Sequence, residues 1–427
     1  MKIGILLHFF DFRNDFRRVV RILEEKHDIV LFIKKDQKDK IKPHISPKTE
    51  IRFFDENKHT LRNRLWQFLF SNFGHIPKSV NNYYLMERFL IYLEKGKLKR
   101  LKDLIIFDLS LKLPKWIPYD LYLEKLDYSG DTIIDDIDKF ICLTRISDDF
   151  LFARMIKEKK DIQVYVYSWD HPCKHRQFSK RVNYLVWNKG IKDDLIELQS
   201  IPPNRIGIIG ASQFGYVQEF LCQDSNTFIK PYEFDYIYLG CFAGIPEMVK
   251  QEVNIIRQIS TIMMESDLQI NLVVRPYPVL QDWSLYDPLN DISNLIIDDS
   301  FKTKDLSTSE DKIFEKFIKI HFAKAFFHLG TTMGLEACFT STPSFIIDFG
   351  YDKVKSSKLS IKYGIHQYQN KKYLIDKNPK NVINSEDYLK NVLSHIGHQD
   401  YKLINQQISE AFELISFQTF VERLTAN

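Results

Sequence analysis

The chain has 427 residues, a length that suits two domains of roughly 200 residues better than one core. Hydrophobic residues make up 44% and charged residues 27%, with only 15 glycines and 15 prolines, which excludes collagen-like and low-complexity classes. The formal net charge of +4 is too small for this length to predict a nucleic-acid-binding protein.

The five cysteines lie far apart and show no metal-binding spacing, so we expect a reducing cytoplasm. The first residues, MKIGILLHFFDF, lack the small-residue cleavage site of a signal peptide. No stretch reaches the roughly 18 apolar residues of a membrane span. These features predict a cytoplasmic protein with, at most, a peripheral contact at the inner face of the cell membrane.

The first part of the chain predicts an α/β domain. Residues 2–9 and 28–33 are short apolar runs typical of buried strands, and 12–25 between them carry a helical repeat. Strand, helix and strand at this spacing form a βαβ unit, which predicts a mostly parallel sheet. Later strands are expected at 103–109, 139–144, 163–168, 183–188 and 205–210.

Residues 60–100 predict helices that are unusually aromatic and basic. Four aromatic side chains in this segment, Trp66, Phe68, Phe70 and Phe73, fit two hypotheses. They form a stripe that faces the core, which is the commoner use of such a pattern. Alternatively, they form a surface patch for a membrane or a lipid-linked acceptor.

A polar, interrupted segment at 221–235 predicts a linker, and a second α/β series follows it. Its strands are expected at 236–242, 268–278 and 294–299, its helices at 247–265 and 308–320, a strand, turn, helix and strand at 323–350, and last helices at 385–396 and 403–424. We therefore predict doubly wound domains at 1–225 and 226–400, with 401–427 returning to the first. Such domains bind ligands at the carboxyl ends of their strands, so we expect the site in a cleft between them.

The strongest local pattern is HLGTTMGLEA, in which a predicted strand gives way to Gly330, Thr331 and Thr332 before a helix begins. Backbone N–H groups, two hydroxyls and the positive end of a helix dipole suit a diphosphate. Gly330 and Gly334 leave room for a ligand, and Glu336 suits ribose hydroxyls. An ordinary threonine cap followed by a surface glutamate explains the same residues equally well.

A second pattern, VVRPYP, places Arg275 at the end of another predicted strand. An arginine there suits bidentate contact with a phosphate. The alternative is an arginine that closes the strand on a structural carboxylate.

A third pattern is SWDHPCKHR, in which Asp170 and His171 follow a buried strand directly. Either side chain suits a general base acting on an acceptor hydroxyl, although a turn-forming aspartate is an equally good interpretation. His8 and Asp11, with Asp15, give further candidate bases in the first βα turn. A lone histidine at a strand end is more commonly structural.

The triplet Asp136-Ile137-Asp138 matches the DxD pattern that holds metal in some sugar transferases. Solvated acids are commoner at such a place, so no metal is expected. The sequence contains no GxxxxGK[ST], GxGxxG or HExxH pattern, which removes the main support for a P-loop kinase, an NAD-dependent enzyme or a zincin.

Taken in order, five stretches resemble the motif series of a GT-B-fold glycosyltransferase family of bacterial surface-polysaccharide type. They are SWDHPCK, YLVWNKGIKDDL, IPPNRIGIIGASQF, VVRPYP and GTTMGLEA, within about residues 139–348. His171, Gly215 and Tyr277 depart from the pattern, which has Asn, Asp and His there. The chain is also similar, more distantly, to CDP-glycerol glycerophosphotransferases and to non-hydrolysing sugar 2-epimerases.

The resemblance implies a GT-B fold, with two Rossmann-like domains facing each other across a cleft. It implies a metal-independent glycosyltransferase that moves a sugar from a nucleotide-activated donor to a surface-polysaccharide or glycolipid acceptor, without a cofactor. A CDP-glycerol or ribitol-type phosphotransferase and a nucleotide-sugar 2-epimerase are the enzymatic alternatives. An inactive GT-B scaffold in a polysaccharide assembly complex is the non-enzymatic one.

The expected site residues form three groups. Those for the nucleotide sugar are Arg275, Tyr277, His328, Gly330, Thr331, Thr332, Gly334 and Glu336. Those on the acceptor side are Trp169, Lys174, His175 and Arg176. The candidate bases are Asp170, His171, Asp11 and His8.

Overall fold

The computed structural model divides into two compact units, Met1–Ser212 with Phe417–Asn427, and Gln213–Ser416. It describes residues 1–7, 14–35, 38–41, 45–54, 60–76, 113–128, 130–143, 149–244, 246–266, 268–278, 280, 282–302, 309–351, 379–397, 401 and 411–426. In this part of the chain, no helix is both long enough and apolar enough to cross a membrane.

Within the described residues, the first unit holds a seven-stranded parallel sheet of order β3-β2-β1-β4-β5-β6-β7. The strands are β1 (Lys2–Leu6), β2 (Asp28–Lys34), β3 (Glu50–Phe54), β4 (Lys139–Cys142), β5 (Ile162–Tyr165), β6 (Asn183–Val186) and β7 (Ile206–Ile208). The helices are α1 (Asn14–Glu24), α2 (Lys38–Ile41), α3 (Leu61–Phe73), α4 (Tyr119–Lys125), α5 (Asp149–Lys157), α6 (His171–Lys174) and α7 (Lys189–Gln199), with a terminal helix Phe417–Ala426.

The sheet reverses its order at β1, which pairs with β2 on one side and with β4 on the other. In doubly wound sheets, ligands bind outside the carboxyl ends of the strands at such a switch point. The expected βαβ unit and the strands near 139, 163, 183 and 205 are confirmed. The strand expected at 103–109 lies outside the described residues, and β3 was not predicted.

Helix α3 divides its aromatic residues between the core and the surface. Thr60 caps the helix, its Oγ1 accepting a hydrogen bond from the backbone N–H of Asn63 at 3.1 Å. Phe70 is buried and stacks on Tyr122, with ring centroids 4.4 Å apart, whereas Phe68 is 62% exposed. The core hypothesis therefore holds for Phe70, and the surface hypothesis stays open for Phe68; residues 77–112 lie outside the described residues.

The second unit holds, in its described residues, a six-stranded parallel sheet of order β10-β9-β8-β11-β12-β13. The strands are β8 (Tyr236–Gly240), β9 (Asn271–Arg275), β10 (Leu295–Ile297), β11 (Ala325–His328), β12 (Ser344–Ile347) and β13 (Val382–Ile383). The helices are α8 (Gly215–Leu221), α9 (Pro246–Glu265), α10 (Glu310–Phe322), α11 (Met333–Phe339) and α12 (Glu386–Ser394), with a 3-10 helix at Trp283–Leu289.

The two units divide at Ser212, whereas the sequence placed the first boundary after residue 225. Helix α8 belongs to the second unit because it packs on α10. The Tyr216 hydroxyl donates to Glu310 Oε1 at 3.1 Å, and the rings of Phe220 and Phe317 lie 5.5 Å apart.

The last residues of the chain do not all belong to the first unit, although 401–427 was expected to return to it as a whole. Tyr401 packs edge-on against Phe345 in the second unit. Only the terminal helix belongs to the first unit, where Phe420 lies edge-on to Tyr165 with centroids 5.1 Å apart.

Candidate functional site

Two of the predicted patterns meet at the carboxyl edge of the second sheet. Arg275, the last residue of β9, pairs in register with Gly240, the last residue of β8. Gly240 pairs on its other side with His328, the last residue of β11. The sequence predicted a strand end for both Arg275 and His328, and the structure places them on either side of the same strand.

Arg275 keeps hydrogen-bond donors available at this edge. Its guanidinium lies 4.6 Å from the centroid of the Phe301 ring, and its Nη1 lies 2.9 Å from Met333 Sδ. Its Nε is buried without a hydrogen-bond partner, and no described carboxylate pairs with the guanidinium. A structural carboxylate that closes the strand is therefore not found in the described part of the chain.

Lys319, a second cation that lies against the Phe301 ring, differs from Arg275 because it has a carboxylate partner. Lys319 lies 4.8 Å from the centroid of Phe301, and its Nζ contacts both oxygens of buried Asp298 at 2.9 and 3.0 Å. Lys319 is thus neutralised within the fold, whereas Arg275 is available to an anion that arrives from outside.

The turn between β11 and α11 combines a special backbone conformation with a local threonine turn. Gly330 has a φ of 97°, in the left-handed region that favours glycine. Thr331 Oγ1 accepts a hydrogen bond from the backbone N–H of Met333 at 2.9 Å, which forms this threonine turn one residue before the N-cap, Thr332. Thr332 makes no capping bond with its side chain.

His328 supports this turn from inside the fold. The side chain is 2% exposed, and burial lowers its pKa to about 3, so the ring is neutral at physiological pH. Its Nδ1 accepts the N–H of Gly330 at 3.2 Å. A Cβ at Gly334 would lie 2.5 Å from His328 Nε2. The space that we expected Gly334 to leave for a ligand is therefore filled by the ring of His328.

Glu336 is buried rather than on the surface, contrary to the alternative of a surface glutamate. Its Oε2 accepts a hydrogen bond from Lys316 Nζ, a residue of α10, at 2.7 Å. Its Oε1 has no partner among the described residues. Burial lowers the pKa of Lys316, and the Glu336 carboxylate partly offsets this effect.

The loop after β8 is held by a carboxylate that the sequence analysis did not single out. Glu252 is fully buried, and its Oε1 accepts the backbone N–H groups of Phe242 and Ala243 at 2.9 and 3.0 Å. The Tyr286 hydroxyl donates to its Oε2 at 2.6 Å. Burial raises the pKa of Glu252. A methyl group built at Gly244 would lie 3.7 Å from the Tyr277 ring, so this predicted site residue packs beside the same loop.

In the first unit, the stretch that begins with Ser168 forms a tight turn after β5. The Ser168 hydroxyl donates to Asp170 Oδ1 at 2.5 Å, and the N–H of Cys173 donates to the Asp170 carbonyl. Asp170 is the N-cap residue of α6, but its carboxylate makes no capping bond, so its role as a base or as a turn-forming residue stays a prediction. The rings of His171 and His175 lie edge-on, with centroids 4.9 Å apart.

The residues expected on the acceptor side contact other side chains of the first unit. Gln199 Nε2 donates to the carbonyls of Pro172 and His175, which fixes the short helix α6. The Arg176 guanidinium lies 4.4 Å from the centroid of the Phe70 ring. Trp169 is buried, so it contributes to the core of the turn.

Some candidate residues of the first unit cannot be placed. His8 and Asp11 lie outside the described residues, as does the side chain of Lys174. Asp15 is buried, and its Oδ2 accepts a hydrogen bond from the Ser212 hydroxyl at 2.7 Å. The general base stays a prediction.

Both acids of the DxD triplet have partners at the amino edge of the first sheet, which are cations for Asp136 and a backbone N–H for Asp138. Arg52 contacts both oxygens of Asp136 at 2.5 and 2.6 Å, and Lys2 Nζ contacts Asp136 at 2.7 Å. Asp138 accepts the backbone N–H of Lys2. Across the described ranges, no three His, Cys, Asp or Glu residues form a group suited to a metal ion.

Comparison with known proteins shows similarity in fold and not in sequence. No protein-family model matches the chain, and no curated protein matches it. The UDP-GlcNAc 2-epimerase of Neisseria meningitidis bound to UDP-GlcNAc is similar over 100% of both chains, with 11% identity and a TM-score of 0.51. The UDP-GlcNAc 2-epimerase of Methanocaldococcus jannaschii also matches over 100% of both chains, with 12% identity and a TM-score of 0.50.

The calicheamicin glycosyltransferase CalG4 is similar over 100% of this chain and 97% of its own, with 9% identity and a TM-score of 0.50. The chain has the GT-B fold. This fold consists of two Rossmann-like units, each of which contains a parallel sheet and helices. At these identities, the comparisons show the fold alone, and epimerases and a glycosyltransferase share it.

Proposed function

We propose that the chain is an enzyme that acts on a nucleotide-activated sugar and binds the nucleotide at the carboxyl edge of its second sheet. One observation carries this proposal. At that edge, the Arg275 guanidinium has no described carboxylate partner, and the Oε1 of buried Glu336 has no described partner. A cation and an acceptor suit a phosphate and a ribose hydroxyl respectively.

Two reactions fit this arrangement. Epimerisation at carbon 2 of the sugar is favoured by the two epimerases that match over the whole chain. Glycosyl transfer to a surface-polysaccharide or glycolipid acceptor is favoured by the motif order from SWDHPCK to GTTMGLEA and by the likeness to CalG4. We place epimerisation first, because the full-length matches named above are mostly epimerases.

The same residues serve both reactions. Arg275 would hold the phosphate, with Thr331 and Thr332 at the neighbouring turn, and would offset negative charge on the nucleotide when its bond to the sugar weakens. Asp170, His171, Asp11 and His8 remain the candidates for the base. In a transferase, His175 and Arg176 would serve the acceptor side, together with Trp169 and Lys174.

A thermal-shift screen of CMP, CDP, GDP, UDP and their sugars tests the proposal. A ligand at 100 times its Kd stabilises a protein by about 2.7 kcal/mol, which is readily measured. We expect one nucleotide family to raise the melting temperature, and Glu336→Ala to remove that shift. If no nucleotide stabilises the protein and Glu336→Ala changes nothing, the inactive-scaffold hypothesis replaces this one.

Product analysis by mass spectrometry and NMR then separates the two reactions. An epimerase converts the nucleotide sugar alone into an isomer of the same mass. A transferase leaves the sugar unchanged until an acceptor is added, and then releases the free nucleotide.

A further inference from the structure

The ion pair between Lys316 and Glu336 connects two helices across twenty residues of sequence. The side chains are 14% and 11% exposed, and their Nζ and Oε2 atoms lie 2.7 Å apart. Taking two charges out of water costs several kcal/mol each, so such a pair contributes little net stability. A functional role accounts for the placement better than a stabilising one.

The pair occupies one oxygen of the carboxylate and leaves the other available. Lys316 binds Oε2 as a point charge, and this contact holds the carboxylate in one orientation. Its Oε1 makes no hydrogen bond within the described residues. An ionised carboxylate oxygen is an acceptor only, which suits hydroxyl donors rather than a phosphate.

The position of Arg275 adds a second constraint. Its Nη1 contacts Met333, which precedes Glu336 by three residues on the same helix. Residues so spaced lie about 4.5 Å apart along the helix axis and on the same side of the helix. The charge of Arg275 is also among the effects that lower the pKa of Lys316, so the guanidinium lies near the ion pair of Lys316 and Glu336.

We propose that Lys316 is a positioning residue that holds Glu336 for recognition of the ribose diol, and that it makes the site selective for ribonucleotides over 2′-deoxyribonucleotides. The inference rests on the proposed function, because it assumes that a nucleotide binds here. To the ribose contact of Glu336 that the proposed function already includes, it adds Lys316, a residue that the motif series does not contain, and the selectivity that depends on it.

Isothermal titration with UDP, CDP and GDP, each beside its 2′-deoxy counterpart, tests the inference. Hydrogen bonds to charged groups contribute about 1.5–3 kcal/mol, so the wild type is expected to prefer the ribonucleotide by about 10- to 100-fold. Lys316→Met keeps the length of the side chain without its charge and should reduce this preference to about 2-fold. Glu336→Gln should do the same, and the double variant should show no further loss.

Two further variants keep the test independent of folding. Lys312→Met is the matched control, since Lys312 lies one turn earlier on α10 and pairs with Glu315; it should retain the preference. Lys316→Arg keeps the charge, but its planar fork engages both carboxylate oxygens, so the preference should fall while the melting temperature is retained.

The possible failures are distinguishable. If the wild type binds none of these nucleotides, the proposed function fails and the inference fails with it. If the wild type binds the ribonucleotide and its 2′-deoxy counterpart equally, the inference is wrong while the proposed function stands. The same holds if Lys316→Met and Lys316→Arg both retain the preference for the ribonucleotide. A loss of melting temperature alone, with the preference intact, would show that the pair is purely structural.

Discussion

Acid should destabilise this protein through His328, and His328→Asn should remove that effect. The ring of His328 is buried and its pKa is lowered to about 3, from an ordinary value of 6.5. Between these two values, the unfolded chain binds one more proton at this residue than the folded chain does. The free energy of unfolding therefore falls as the pH falls.

The slope is about 1.4 kcal/mol per pH unit, because one proton is taken up on unfolding. From pH 6.5, where the unfolded histidine is half protonated, to pH 4.5, His328 alone should thus remove about 2.3 kcal/mol. In the His328→Asn variant, Oδ1 of the new side chain can accept the Gly330 N–H, as Nδ1 of His328 does, but it does not titrate. The smaller side chain leaves a cavity, so the variant should be less stable at pH 8.

Urea unfolding of both proteins at several pH values between 4.5 and 8 provides the measurement. Carboxylates that titrate in this range contribute equally to both, so the difference between the two profiles reports His328. The difference should shrink as the pH falls. Parallel profiles would refute the conclusion that His328 stays neutral inside the fold.

Three other predictions follow from the contacts described above. Asp136→Asn should lower the free energy of unfolding in urea by less than about 1 kcal/mol, because the Asp136 side chain is 42% exposed, and activity should be indifferent to EDTA. Glu252→Ala should cost about 3 kcal/mol or more by leaving two backbone N–H groups unpaired, whereas Glu247→Ala, an exposed change on the same helix, should be neutral in thermal denaturation. If α3 binds anionic membranes, Leu65→Ser with Phe68→Ser should abolish co-sedimentation with phosphatidylglycerol vesicles without changing the melting temperature; retained co-sedimentation would exclude this surface.

The strands were predictable where a run of apolar residues is bounded by charge. In β2, five consecutive buried residues lie between Asp28 and Lys34, which is typical of a strand covered on both faces. In contrast, β13 has two residues, too few for any period to show. The exposed and half-buried positions of β3 give an equally weak pattern.

The site was predictable where a polar residue ends a buried strand, as Arg275 and His328 do. Lys316 could not be found in this way, because its pairing with Glu336 depends on how two helices pack, and sequence spacing contains no such information. Glu252 did leave a signal. It lies in the apolar stripe that Met248, Ile255 and Ile259 define on α9, where a charged residue is out of place.

The carboxylate of Glu252 also determines how this edge of the sheet can hold an anion. Many nucleotide sites cradle a phosphate in the amides of a loop, but here the amides of Phe242 and Ala243 already have the carboxyl group of Glu252 as a partner within the chain. The loop is therefore preorganised without a ligand, and binding need not supply the entropy of ordering it. If the proposed nucleotide site is correct, the phosphate would depend mainly on the side chain of Arg275 and on the turn at Thr331 and Thr332, so affinity should weaken as ionic strength rises.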